Sequence, residues 1–314
     1  MMPTQRLFDA YLFVDWSARG LPSPARPSAD AIWVGECPAD GTPPVETYLP
    51  TRAAAAAHLL ARLRAHAAAG RRVLAGYDFP FGYPAGFARA LDLRGPGLPW
   101  QRTWLALAAL TRDGPRNDNN RFAVATRLNA RAGMAAPGPF WGAPGAAAAA
   151  TLAPTSPGFP YPLGDGTALA RLRPCERRLR GVQEAWKLYG AGSVGSQALL
   201  GIPRVWRLRR HPDLRAVSRI WPFETGFTTT PVPTAGPFIL HAEVWPGILG
   251  REAVAAEQAR TGAIKDRAQV RLLCRWAAGL DAAGALARHF ARPPDLTDDE
   301  ARAAIEEEAW ILGA

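Results

Sequence analysis

The chain has 314 residues, 48% hydrophobic and 20% charged, a balance that supports a buried core and excludes a disordered chain. No apolar run reaches membrane-spanning length without charges or prolines, MMPTQRLFDA lacks the pattern of a secretory leader, and Cys37, Cys175 and Cys274 form neither a CxxC pair nor an even disulfide framework. A cytoplasmic protein without a structural zinc site is therefore expected, and its net charge of +10 is carried almost wholly by arginine, the lysines being Lys187 and Lys265.

In chain order, AYLFVDWSA alternates as a strand and runs into Asp15. Residues 31–35 and 46–49 read as two further short strands between Pro/Gly/Asp turn clusters, which suits a meander. Thr51 caps a long Ala-rich helix ending near Gly70, and RRVLAGYDFPFG then gives a buried strand, residues 73–77, that runs into Asp78 and a Pro/Gly turn. Residues 92–235 differ in character, being dense in proline and glycine, with helix-like pieces at TWLALAALTR and CERRLRGVQEAWKLY. A strong strand returns at PFILHAEVWP and reaches Glu243. A short helix is expected over residues 252–260 and a clearer one over 264–280, where Val270, Leu273, Cys274, Ala277 and Leu280 form one apolar stripe. Asp266 precedes Val270 by four residues and so shares that inward face in the first turn. LTDDE opens a last helix running towards Trp310.

Arginine is concentrated in residues 171–219, which hold eleven Arg and one Lys against Glu176, Glu184 and Asp213, a net of +9. Such a stretch suits a polyanion, with a solvated arginine face as the plainer alternative. Arg207, Arg209 and Arg210 are its candidates for phosphate contact. Within it, GAGSVGSQ lacks the Gly-Lys-Ser/Thr of a phosphate-binding loop. It reads either as a set of backbone N–H groups offered to a phosphate or as a helix boundary packed on the core, and Ser193, Ser196 and Gln197 are candidate substrate contacts. His241 lies on the same strand face as Glu243, as a satisfied sheet histidine or a proton shuttle.

Four acids stand in similar places. Asp15, Asp78 and Glu243 each end an apolar strand, and Asp266 opens an inward-facing helix. Each alone reads as a turn or cap residue. Gathered at one end of a sheet, such acids repel unless they share hard cations, and Mg²⁺ or Mn²⁺ suits oxygen donors. Two such ions can activate water and stabilise the leaving oxygen of a phosphodiester.

The strand and helix order, with the motifs VDWSA, YDFPFG, HAEVWP, IKDRAQVRLLCRWAAGL and EEEAWILGA, resembles the DUF429 family of predicted nucleases in the ribonuclease H-like superfamily. The likeness covers the two ends of the chain. Ala309 stands where the family usually has glycine, and Arg267 and Gln269 stand where a second helix acid is common. The middle segment is similar to an elaborated bacterial subgroup, some of whose members carry molybdopterin or cobalamin biosynthesis names. The resemblance implies an α/β fold with a ribonuclease H-like five-stranded mixed sheet flanked by helices. Residues 1–91 and 236–314 would form its core, with 92–235 inserted after the fourth strand. It implies a metal-dependent phosphodiester hydrolase in which Asp15, Glu243 and Asp266 hold the metal and Asp78 acts as ligand or water-orienting base. The partner is then nucleic acid or a phosphorylated small molecule. The alternative is a nucleotide or cofactor-precursor binding protein without nuclease turnover.

Overall fold

The computed structural model describes residues 6–132 and 136–314. Residues 1–5, at the start of the segment read for a leader, and the last residue of the NNRFAVATRLNARAG stretch lie outside them.

Six strands form one mixed sheet, in the order Val45–Leu49, Ile32–Pro38, Ala10–Asp15, Arg72–Tyr77, Phe238–Glu243 and Ser218–Ile220. β1 (Ala10–Asp15), β2 (Ile32–Pro38) and β3 (Val45–Leu49) make the antiparallel meander. α1 (Arg52–Ala68) is capped by Thr51, whose hydroxyl accepts a hydrogen bond from the Ala54 amide. It carries the chain across the sheet so that β4 (Arg72–Tyr77) pairs parallel to β1.

The middle segment follows with α2 (Phe87–Ala90), α3 (Pro99–Leu110), α4 (Arg121–Arg131), a small ribbon of β5 (Tyr161–Pro162) and β6 (Ala168–Leu169), α5 (Pro174–Arg178) and α6 (Gly195–Arg209). Then come β7 (Ser218–Ile220), β8 (Phe238–Glu243), α7 (Arg251–Thr261), α8 (Lys265–Ala282) and α9 (Asp298–Ala303). β8 is parallel to both β4 and β7.

Strand alternation divides the core in two. Leu12, Val14, Val73, Ala75, Tyr77 and Ile239 face the layer built by Leu59 and Leu63 of α1 and by Trp100, Trp104, Leu199 and Ile202 of α3 and α6. Tyr11, Phe13, Leu74, Leu240, Ala242 and Val244 face α8, through Leu273, Cys274 and Ala277. Gly35 lets α8 lie close on β2: a Cβ there would stand 2.8 Å from the Val270 carbonyl oxygen. Residues 92–235 thus build, together with α1, one of the two layers that cover the sheet, and they also send Cys175 and Trp221 into the other.

Two expectations are corrected. The sheet has six strands rather than five, because Ser218–Ile220 of the middle segment joins its edge. The helix expected over CERRLRGVQEAWKLY stops at Arg178. Leu179 is extended, Gly181 turns at φ +92, and Trp186 leaves any helical path to stack with Tyr83 at 5.2 Å and pack edge-on to Phe87 and Phe140. Tertiary burial of that indole overrides the local periodicity.

At the C-terminus, Thr297 and Glu300 cap α9 reciprocally. A single π turn (Ala304–Glu308) follows, then Ala309 at φ 63 and ψ −173. Ile311 bridges Glu243 in parallel, and the Leu312 amide donates to the Glu243 carbonyl at 2.9 Å. Among the described residues no helix is long and apolar enough to cross a membrane.

Candidate functional site

Asp15 ends β1 and Asp78 follows β4. Val14 pairs with Tyr77, and the Asp78 amide donates to the Val14 carbonyl at 3.2 Å, so the two acids are neighbours on adjacent parallel strands. Each shares the parity of side chains that face α8, Tyr11 and Phe13 in one strand and Leu74 in the other. Asp266 comes from the first turn of α8, on the same side of the sheet. Its Oδ2 accepts the Asp30 amide at 2.9 Å, which ties the start of α8 to the loop before β2. Asp30 is held at φ 56.

The three carboxylates stand among protein atoms yet keep partial solvent access. Burial, and then the charges of Asp78 and Asp266, hold the Asp15 carboxyl well above the usual carboxylate range. Burial pushes Asp78 up to about 8, against the Trp16 amide, which donates to its Oδ1 at 2.7 Å. Burial also raises Asp266, while Lys265 pulls it down. Asp78 and Asp266 each have one oxygen engaged by a backbone amide. Asp15 accepts no side-chain hydrogen bond among the described residues.

These donors are the right kind for a hard divalent cation: desolvated, mutually repelling oxygens that ionise together only when a cation offsets them. They are not drawn into a ligand shell, since among the described residues no group of three or more His, Cys, Asp or Glu side chains stands at coordinating geometry.

Glu243 is a correction. Its parity in β8 is that of Ile239, so it faces the opposite layer from Asp15. There its carboxylate accepts both guanidinium nitrogens of Arg173, at 2.6 and 2.8 Å, and the Phe81 amide at 2.8 Å. Arg173 also donates to Glu176 at 2.9 Å and to the Glu308 carbonyl at 2.7 Å, all of it buried. Glu243 is thus part of a buried ion-pair network that anchors the C-terminus and is not a metal ligand beside Asp15. His241, on the same face, bonds the Tyr77 hydroxyl at 3.1 Å and the Ser218 hydroxyl at 2.9 Å. Burial lowers its pKa to about 3, so it is a neutral sheet histidine and no proton shuttle at physiological pH.

The middle segment reaches the acids through the start of α6. Gln197 donates to the Trp16 carbonyl, one residue beyond Asp15. Ser196 donates to the Leu188 carbonyl at 2.6 Å and accepts from Arg121 at 3.1 Å. Ser193 sits in a half-exposed turn, its amide bonded to the Gly190 carbonyl at 3.1 Å. A Cβ at Gly195 would lie 2.5 Å from the Ala185 carbonyl oxygen, so GAGSVGSQ is a helix boundary packed on backbone.

Arg52 fixes the loop after Asp15 and has no signal in the sequence beyond its place next to the cap. Fully buried, it donates to the Ser17 and Arg19 carbonyls at 3.1 and 2.8 Å and pairs with Asp113 at 2.6 Å, which Arg204 also holds at 2.8 Å.

Arg207, Arg209 and Arg210 lie at the other end of α6 from Gln197, roughly 18 Å away at 1.5 Å rise per residue. Arg209 is consumed by Glu224, Arg210 lies 5.0 Å from the Trp206 ring centroid, and Arg207 is exposed. They therefore stand away from the three acids, at the far end of α6.

Compared with protein-family models, curated proteins and solved structures, the chain has no significant match.

Proposed function

We propose that this chain is a divalent-metal-dependent phosphodiester hydrolase of ribonuclease H-like architecture, working at Asp15, Asp78 and Asp266. The observation that carries the reading is the convergence of two strand-end acids on adjacent parallel strands with a third from a helix start, all with raised pKa values. The antiparallel meander followed by parallel β1, β4 and β8 supports the ribonuclease H-like part, as do the motifs shared with the DUF429 family. Bound there, Mg²⁺ or Mn²⁺ would offset the carboxylates and polarise a phosphoryl oxygen.

The chain's own groups divide the work. Asp15, with both oxygens free of side-chain partners, is the principal ligand. Asp78 and Asp266 offer their second oxygens, while the Trp16 and Asp30 amides fix their orientation. Gln197 and Arg52 hold the backbone beyond Asp15, so the ligand is carried on a rigid loop.

The test is cleavage of end-labelled single- and double-stranded oligonucleotides by purified protein with Mn²⁺, beside Asp78→Asn. Cleavage that needs metal and is lost in the variant supports the reading. Absence of cleavage from every oligonucleotide, with Mn²⁺ shown to bind, would leave the second reading, a binder of nucleotides or phosphorylated cofactor precursors. That second reading is favoured by acids that are gathered but not drawn into a ligand shell.

A further inference from the structure

A cavity lies at the far end of α6. It has a volume of about 400 Å³ and is lined by Trp100, Gln101, Trp206, Arg209, Arg210 and Arg215, with Glu224 at its edge. Its size is that of a small-ligand site. Two features set it apart from an ordinary arginine-rich surface.

The first is its charge. Glu224 accepts both Arg209 nitrogens at 2.7 Å and the Ile220 amide at 2.8 Å, so this acid is fully engaged and neutralises Arg209. Arg210 and Arg215 have no acidic partner among the described residues. The cavity therefore carries two uncompensated guanidinium groups, each exposed.

The second is a stacking wall. The Trp100 ring lies parallel to Phe223 at 4.6 Å and edge-on to Trp104 at 5.5 Å and Trp206 at 6.1 Å, so its orientation is locked on several sides. Trp206 is half-buried, and Arg210 lies over its face at 5.0 Å from the ring centroid. A guanidinium over an indole leaves its other side open to a further flat ring.

We propose that this cavity binds a nucleoside phosphate: the base stacks on the Arg210–Trp206 pair, and the phosphate sits between Arg210 and Arg215. A bare anion would leave the aromatic wall unused, and an apolar ligand would bury the two arginines without partners. The site is separate from the acids, about 18 Å along α6 at the usual helical rise. It needs no metal and stands whether or not the acids hydrolyse anything. The nucleoside phosphate has two sources, a free mononucleotide or one unit of a single strand.

The experiment is equilibrium binding in EDTA at low ionic strength, with a fluorescent single-stranded oligonucleotide in one arm and unlabelled mononucleotides as competitors in the other. Binding in the absence of metal is expected. Arg210→Ala with Arg215→Ala should weaken it about tenfold or more, through two lost phosphate contacts. Trp206→Ala, which removes the indole beneath Arg210, should weaken it several-fold. Arg207→Ala, which removes one charge from the same helix outside the cavity, should shift it less than about twofold. Competition by mononucleotides at concentrations similar to the oligonucleotide's own Kd assigns the free nucleotide, and much weaker competition assigns the strand. Equal weakening by Arg207→Ala and by the double variant would reduce the effect to diffuse charge and overturn the site, as would no binding of either ligand. Because metal is absent throughout, the result is independent of hydrolysis at Asp15.

Discussion

Asp15 and Glu243 end parallel strands of one sheet and stand on its opposite faces. β1 and β8 flank β4, with Val14 paired to Tyr77 and Tyr77 to Glu243, so Glu243 is level with Val14 rather than with Asp15. One step of a period-two strand separates a half-open carboxylate beside α8 from one sealed against Arg173. The two acids should respond differently to loss of charge. Glu243→Gln leaves Arg173 with Glu176 as its one carboxylate partner and turns a two-nitrogen ion pair into neutral hydrogen bonding, and is expected to cost about 2 kcal/mol. It should leave any stabilisation by Mn²⁺ unchanged. Chemical denaturation with and without the ion measures both quantities. A variant of native stability that no longer responds to Mn²⁺ would return Glu243 to the metal site.

The raised carboxyls make a prediction about pH. Asp78 goes from an ordinary 3.8 to about 8 on folding. Below the lower value both states hold the proton and its contribution is complete. Between the two values the unfolded chain ionises while the folded chain does not, so metal-free stability falls as pH rises across that window. Asp15 and Asp266 shift in the same direction. Glu308, which burial pushes up to about 7 on the other side of the sheet, adds a slope of the same sign. Thermal melts in EDTA should show a decline that is shallower, not absent, in Asp78→Asn. A melting temperature that climbs from mildly acidic to mildly alkaline pH would contradict these shifts.

These residues also show what the sequence could disclose. Asp15 and Asp78 were readable because an uninterrupted apolar run that stops at an acid marks a strand end, and the connecting helix makes the strands parallel neighbours. Asp266 was readable from its four-residue spacing to Val270. Glu243 met the same strand-end test and failed on parity: the spacing of His241 and Glu243 puts them on one face, but which face depends on the pairing register, a long-range property. Arg52 and Arg173 were invisible for a similar reason, since each is defined by partners distant in the chain, Asp113 for one and Glu243 for the other. Ser218–Ile220 was too short to stand out and is a strand because β8 offers it an edge.

Ala309 offers a test of backbone strain. It is a buried non-glycine residue at φ 63 and ψ −173, a region that costs roughly 1–3 kcal/mol for a side chain bearing Cβ. Arg173 holds the preceding carbonyl, and the bridge of Ile311 to Glu243 fixes the chain beyond it, so the conformation is imposed from both sides. Ala309→Gly should relieve the strain at a smaller cost in unfolded-chain entropy, for a net gain of about 1 kcal/mol. Urea unfolding of the two proteins decides it, and a loss of stability would mean that the surroundings already absorb the strain.

Gathered acids that lack a ligand shell should be most sensitive to metal where they ionise. Mn²⁺ competes with protons for Asp15, Asp78 and Asp266, so its stabilising effect should grow with pH, opposite in sign to the metal-free trend. Near neutrality, with the ion at about a hundred times its Kd, native-state binding adds about 2.7 kcal/mol. For a chain of this size that raises the melting temperature by roughly 5 °C. Asp15→Asn removes the carboxylate with no competing side-chain partner and should abolish the rise. It should also raise metal-free stability at alkaline pH, because one of three repelling charges is gone. A structural role for Asp15 would instead lower metal-free stability in the same variant. Melts of wild type and Asp15→Asn, with Mn²⁺ and with EDTA at two pH values, separate a ligand from a turn residue, and an undiminished Mn²⁺ response in the variant would remove Asp15 from the site.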